Sequence, residues 1–412
     1  MILFDKFELE NGLKVIFHKD KTTPIVAVNI LYNVGAKDEA PDKTGFAHLF
    51  EHLMFGGSKH IPVYDEPLER VGGENNAFTT NDITNYYLTL PKQNIETAFW
   101  LESDRMNELA FSLKSLEVQR KVVINEFKQS YLNQPYGDVW LLLRPLAYKV
   151  HPYQWNTIGK DISHIKDAKI KDVKSFFKQF YCPNNAIMVV GGNIELDDVK
   201  NLSEKWFGNI KKGDFVHPTL TPEPLQTEHR TLTVKRKVPF DAIYKVYHMC
   251  GRSEPNFHAT NLITDVLSNG NSSRLFVRLV KEKKLFSSID AYHFEHLEKG
   301  LLCISGKLVK GVQMNEAENA IQEEIEKMKN ETVGENELEK VKNKIEAENA
   351  FSEINILHKA MNLAYSELLG DAALINQENE KYRNVKAEDI KRISNKILKD
   401  SNCSTLYYLS KK

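Results

Sequence analysis

Two strand-rich passages, each followed by amphipathic helix and separated by a polar, proline-containing stretch, predict a chain of mixed α and β structure in two similar domains. Three observations carry this expectation. Residues 13–17 and 25–32 in the first half, and 231–234 and 243–247 in the second, are β-branched and aromatic runs that read as strands. A helical stretch follows each set, at 45–57 and at 259–270. Between the halves, residues 211–228 carry Pro218, Pro222 and Pro224 and read as a linker. The expected domains are 1–212 and 229–412, joined by 213–228.

Composition bounds the function. The 412 residues can bury large cores, and 42% hydrophobic with 27% charged residues is ordinary for a soluble chain. A net charge of −1 offers no general attraction to nucleic acid or to an anionic membrane. Cys182, Cys250, Cys303 and Cys403 lie far apart without a C-x-x-C pair, so reduced thiols are expected. No apolar run approaches the ~18 residues of a membrane helix, and the first ten residues lack a signal-peptide pattern. The expected location is cytoplasmic, or periplasmic if a leader is removed.

In chain order, Asn11-Gly12 marks a turn before the 13–17 strand, and 35–44 is a loop. The 45–57 segment has start signals at Asp42 and Thr44 and a stop at Gly56-Gly57. Within it, His48 and His52 are one helical turn apart on one face, and Glu51 borders that face. Two imidazoles at this spacing suit one metal ion, and the carboxylate can take a proton from water: the inverted zincin pattern H-x-x-E-H. Apolar neighbours Phe46, Leu49, Phe50, Leu53 and Met54 argue for a mostly buried helix, where polar groups need partners.

Residues 72–90 read as a Gly72-Gly73 approach followed by a strand, either a plain hairpin or an edge that an extended peptide can join. Two helices are expected at 92–111 and 112–133. On the second, Glu126 falls between Val122 and Val123 on the apolar stripe with Leu116 and Phe127, and it is the best third ligand for the two histidines. Residues 186–192 read as a strand and 196–207 as a helix. Aligning 53–58 with 267–272 places Leu262, Asp265 and Val266 opposite His48, Glu51 and His52, so the second half lacks ligands. The charged stretch 314–397 reads as amphipathic helices with solvated faces.

These segments together resemble the pitrilysin and mitochondrial-processing-peptidase family of zinc peptidases, the inverzincins, in its short bacterial two-domain form. The resemblance covers nearly the whole chain. It runs through Asn11-Gly12-Leu13, the His48–His52 motif, Gly73 with Asn76-Ala77-Phe78-Thr79, and 122–126. It continues through His151-Pro152-Tyr153 with Gly159, 189–191 and Ser273-Arg274-Leu275. It implies an α+β fold of two similar domains, each an antiparallel sheet packed by helices, paired like a clamshell. It implies one zinc per chain on His48, His52 and Glu126, with Glu51 as general base, and an edge strand binding substrate through Asn76, Ala77 and Phe78.

Two departures stand out. Many members carry a glutamate where this chain has Gln119, whose amide can still orient a ligand by hydrogen bonding. Active members also present an Arg and a Tyr from the second domain, at places held here by Val280 and Ser287. The expected function is a zinc metalloendopeptidase for extended peptides, acting as the metal-bearing subunit of a heterodimer whose partner supplies that Arg and Tyr. The alternatives are a homodimer using Arg274 or Arg278, and a non-catalytic scaffold of the same fold.

Overall fold

The β-branched runs pair into two sheets that share one plan. The computed structural model describes residues 1–214 and 216–411; Phe215, inside the expected linker, and Lys412 lie outside it. Strands β1 (Asp5–Glu8), β2 (Lys14–Lys19), β3 (Ile25–Tyr32), β4 (Glu74–Thr79), β5 (Thr84–Pro91) and β6 (Ala186–Gly192) form a sheet in the order β1-β2-β6-β3-β5-β4. Strands β7 (Arg230–Arg236), β8 (Ala242–His248), β9 (Phe286–Phe294), β10 (Leu301–Leu308) and β11 (Cys403–Ser410) follow the order β7-β11-β8-β10-β9. Without β1 the two orders correspond strand for strand. Each sheet is antiparallel except for one pair at the same place, β2 with β6 and β7 with β11.

The repeat extends to the helix that follows β3 in the first sheet and its counterpart β8 in the second. Helix α1 (Phe46–Met54) and the Phe257–Ser268 helix each begin after a turn of the same length. Matched from these starts, His48 corresponds to Ala259, Glu51 to Leu262 and His52 to Ile263. The sequence alignment matched the helix ends and was displaced by three residues, because the second helix is longer at its C-terminus. Either register leaves the second half without ligands.

The units do not follow the single cut expected at 213–228. One comprises 1–129, 155–219 and 349–377, and the other 130–154, 220–348 and 378–412. Each half thus gives one helix to the other's sheet. Val139–Ala147 packs Val139, Leu143 and Ala147 on Val246, Leu406 and Tyr408 of the second sheet. Ile356–Leu368 packs Ile356, Ala360 and Leu363 on Ile16, Ala27, Leu31 and Val189 of the first. A Cβ at Gly191 would stand 2.9 Å from Ile356 Cδ1, so glycine is what lets this helix lie flat on β6. An apolar helix face fits either sheet, so its pattern alone did not show which one it covers.

The 72–79 segment is more ordered than expected. Glu74–Thr79 is a strand paired along its length with β5, from Glu74–Thr89 to Thr79–Thr84, and its other edge is unpaired among the described residues. Helices Met314–Asn330 and Glu335–Ser352 confirm the helical reading of the charged stretch. No helix among the described residues is long and apolar enough to cross a membrane.

Candidate metal centre

Helix α1 is held by everything except its histidine face. Phe46, Ala47, Leu49, Phe50, Leu53 and Met54 are buried. The Phe50 ring lies 5.2 Å from that of Phe176 and 4.9 Å from that of Tyr181. The start of the helix requires Gly45, whose φ of +88° is left-handed and whose missing Cβ would stand 2.7 Å from Ile158 O. The buried Glu39 carboxylate accepts from Gly45 N and Ala47 N at 2.8 Å each, satisfying two free amides of the first turn. Beyond the end of α1, Phe55 packs over Arg105, which is fully buried with Glu102 between the rings of Tyr64 and Tyr86.

His48 and His52 stand edge to face with ring centroids 4.8 Å apart. Their Nε2 atoms lie 3.7 and 3.5 Å from Glu126 Oε2. Glu126 comes from the Leu113–Phe127 helix, which Ser112 caps by accepting from Ser115 N at 2.9 Å. Leu116, Val123 and Phe127 anchor that helix, while Val122 is 42% exposed rather than part of the buried stripe. Glu126 therefore sits on the flank of the stripe, half-buried and turned to the histidines. The three side chains offer donor atoms that all lie within 4.8 Å of one another.

The electrostatics suit metal ligation. Burial, opposed by Glu126 and aided by His52, pushes His48 down to about 4, so its ring is a neutral donor at pH 7. The His52 ring, against partial burial, holds Glu126 below its usual range. Burial raises the Glu51 carboxyl, and the Thr79 hydroxyl and His52 pull it back. Two imidazoles and one carboxylate form a donor set of the kind that holds catalytic zinc with a position left open, so these residues fit the metal.

The Thr79 hydroxyl donates to Glu51 Oε2, tying strand β4 to the side chain expected as base. No local pattern in the sequence points to this role for Thr79, because the contact joins a strand and a helix that lie far apart in the chain. Side chains alternate along β4, so Ala77 shares the α1 side with Thr79, and Asn76 and Phe78 face the opposite way. Asn76 Oδ1 accepts from Ala77 N at 2.8 Å, and Phe78 is half-exposed. Gln119 is half-buried two turns before Glu126, and its side chain makes no hydrogen bond among the described residues.

In the second unit Val280 packs against the core, and Ser287 lies exposed on β9 with its hydroxyl donating to Lys307 O at 3.1 Å. Arg274 is bound by Glu337 through Nε at 3.0 Å and an Nη at 2.7 Å. Arg278 is bound by Glu282 at 2.5 Å.

Comparison with known proteins adds an independent finding. The sequence family described as Insulinase (Peptidase family M16) matches residues 14–150, and the Peptidase M16 inactive domain matches 167–345. Zinc protease PqqE of Helicobacter pylori is 28% identical over 417 residues, covering 97% of this chain and 91% of that one. Zinc protease YmxG of Bacillus subtilis is 25% identical over 333 residues, covering 80% of each chain. A crystal structure of a protease from Helicobacter pylori superimposes with a TM-score of 0.94 at 26% identity, over 99% of this chain and all of that one. Pitrilysin shares the fold with a TM-score of 0.78 at 17% identity, over 99% of this chain and 45% of the longer one.

Proposed function

The chain belongs to the M16 peptidase family, as a member of two-domain type, and we propose that it is a zinc metalloendopeptidase acting on extended or unstructured peptides. The observation that carries this reading is the convergence of the His48, His52 and Glu126 donor atoms within 4.8 Å of one another, beside Glu51. Those three residues would hold the zinc. Bound there, zinc supplies Lewis acidity, polarising a peptide carbonyl and easing deprotonation of a water. Glu51 takes the proton from the attacking water and returns it to the leaving amine, and its burial raises its carboxyl above the usual glutamate range. Thr79 engages only Oε2, leaving the other carboxylate oxygen for that proton. The unpaired edge of β4 offers backbone groups to an extended peptide alongside Ala77.

We further propose that the working form is a heterodimer. Val280 and Ser287 stand where active relatives are expected to present Arg and Tyr. Arg274 and Arg278, the substitutes a homodimer would need, are already engaged by Glu337 and Glu282. A second reading, a non-catalytic subunit, is supported by the inactive-domain match over 167–345. It leaves the four-residue set of the first unit without a use.

Zinc content and hydrolysis of unstructured peptides, measured on the same protein with and without a candidate partner, test these readings. Glu51→Gln should keep zinc and lose nearly all hydrolysis, whereas Glu126→Gln should lose zinc affinity. Equal metal content in the two variants would show that base and ligand are misassigned. Zinc binding with no hydrolysis alone or with any related partner would favour the non-catalytic subunit.

A further inference from the structure

Glu126 and Ser115 fix which line of the Leu113–Phe127 helix faces α1. At ~100° per residue the two positions fall within about 20° of each other around the helix. Glu126 Oε2 stands 3.7 and 3.5 Å from the Nε2 atoms of His48 and His52. Ser115 Oγ stands 2.6 Å from the place a Cβ would take on Gly56, just past the end of α1. The helix therefore runs alongside α1 between these two contacts. On one side of that line lies the buried stripe of Leu116, Val123 and Phe127. On the other side, about 40° and 80° from Glu126, come Val122 and Val118. They are 42% and 49% exposed.

The exposed surface of this helix is divided. Its other exposed positions are Leu113, in the first turn, and Lys114, Glu117, Lys121 and Asn125. Glu117 and Lys121 pair at 3.0 Å, and Arg120 donates to Lys166 O and Ala168 O at 2.9 and 3.1 Å. Charged groups thus take the side turned away from α1. Val122 and Val118 form a strip one and two turns from Glu126, with no charged side chain of the helix between them and that carboxylate. A single exposed valine needs no explanation, but a strip continuous with a metal ligand marks a contact surface.

We propose that this strip is a specificity subsite, where Val122 and Val118 receive one large apolar side chain (leucine, methionine or phenylalanine) of the peptide being cleaved. The inference deepens the peptidase reading and rests on it. A helix rises ~1.5 Å per residue and an extended peptide ~3.3 Å, so the strip lies ~6–12 Å along the helix from Glu126. The recognised residue is therefore within about three of the scissile bond. The strip presents no charge to a bound side chain, so lysine or glutamate at that position stays in water and gains nothing from it.

The test is cleavage of a mixture of unstructured peptides by the zinc-loaded chain, with and without a candidate partner, the cut sites being read by mass spectrometry. At one fixed position within three residues of the cut, large apolar residues should be favoured by about tenfold over serine. Val118→Ser with Val122→Ser should abolish that preference with zinc content unchanged. Val122→Asp should turn it towards lysine and arginine. Leu113→Ser, about 140° from Glu126 on the same helix, should keep the parent pattern. Binding without turnover gives a second readout: a labelled leucine-containing peptide should bind the zinc-loaded Glu51→Gln chain about tenfold more weakly once both valines are serine. Cleavage that shows no apolar preference, or a preference and affinity unmoved in the double valine variant, would overturn the subsite and leave the peptidase reading standing. Absence of any cleavage or peptide binding by the parent would overturn both. The valines are exposed, so urea melts of these variants should match the parent and exclude misfolding as the cause.

Discussion

Replacing Glu102 by alanine should destabilise the first unit by about 3–5 kcal/mol, because it strands a buried cation. The side chains of Glu102 and Arg105 are each only 1% exposed. Arg105 donates to Glu102 Oε2 from Nε at 2.9 Å and to Oε1 from Nη2 at 2.5 Å, and the Tyr64 hydroxyl donates to Oε1 at 2.6 Å. The variant leaves the guanidinium without its counter-charge and Tyr64 without its acceptor. The ring faces of Tyr64 and Tyr86, both centred 4.5 Å away, offset only about 1–2 kcal/mol of that cost. Removing both charges, as Glu102→Leu with Arg105→Met, should cost clearly less than the single change, since no unpaired charge is left. Tryptophan fluorescence in urea reads the transition, because three of the four tryptophans, Trp100, Trp155 and Trp206, belong to the first unit. The cluster also supports Phe55 at the end of α1, so zinc affinity should fall in the single variant. A loss below about 1 kcal/mol in Glu102→Ala, or an equal loss in the double variant, would refute the account.

Further outcomes follow from the same geometry. Zinc should bind at one ion per chain, and His52→Ala should abolish it, as metal analysis of the purified variant would show. Thr79→Val should lower kcat by about 10–100-fold with zinc content unchanged, while Thr79→Ser, which keeps the hydroxyl, should stay near the parent. Peptide hydrolysis by the isolated chain should rise when a related chain carrying the missing Arg and Tyr is added; full activity alone, unchanged by any partner, would contradict the heterodimer. Burial, opposed by Asn269, raises Asp265 to about 6. A carboxyl raised on folding binds its proton more tightly in the native chain, so that contribution is complete below the unfolded value of ~3.9 and is lost as pH climbs through about 6. Asp265→Asn should therefore stabilise the chain by on the order of 2 kcal/mol near pH 7 and by little near pH 4, in urea melts at the two values.

The parts of the site that obey a local period were legible in the sequence. His48, Glu51 and His52 are neighbours on one helical turn, and Glu126 stood out as a carboxylate on an apolar stripe, although Val122 beside it proves exposed. Thr79 was not legible as the partner of Glu51, because a strand-to-helix contact across the fold leaves no spacing to read. The second sheet was only half visible: β9, β10 and β11 were not singled out, and β11 lies inside the sheet although it is the last strand in the chain. The register of the repeat slipped by three residues because similar helix ends outweighed the turns that start both helices. The exchange of Val139–Ala147 and Ile356–Leu368 was invisible for a thermodynamic reason, since burying an aliphatic stripe is favourable on any apolar sheet face.

The exchanged helices set an order of events on the ribosome. When residue 228 has emerged, all six strands of the first sheet exist, yet the face formed by Ile16, Ala27, Leu31 and Val189 still waits for Ile356–Leu368. More than a hundred further residues must be translated before that face can be closed. The nascent first half therefore exposes apolar sheet surface until then, and a gene cut at the linker should yield an aggregating fragment rather than a free-standing domain. Co-expression of the two halves, each carrying the other's missing helix, is the arrangement under which both should become soluble.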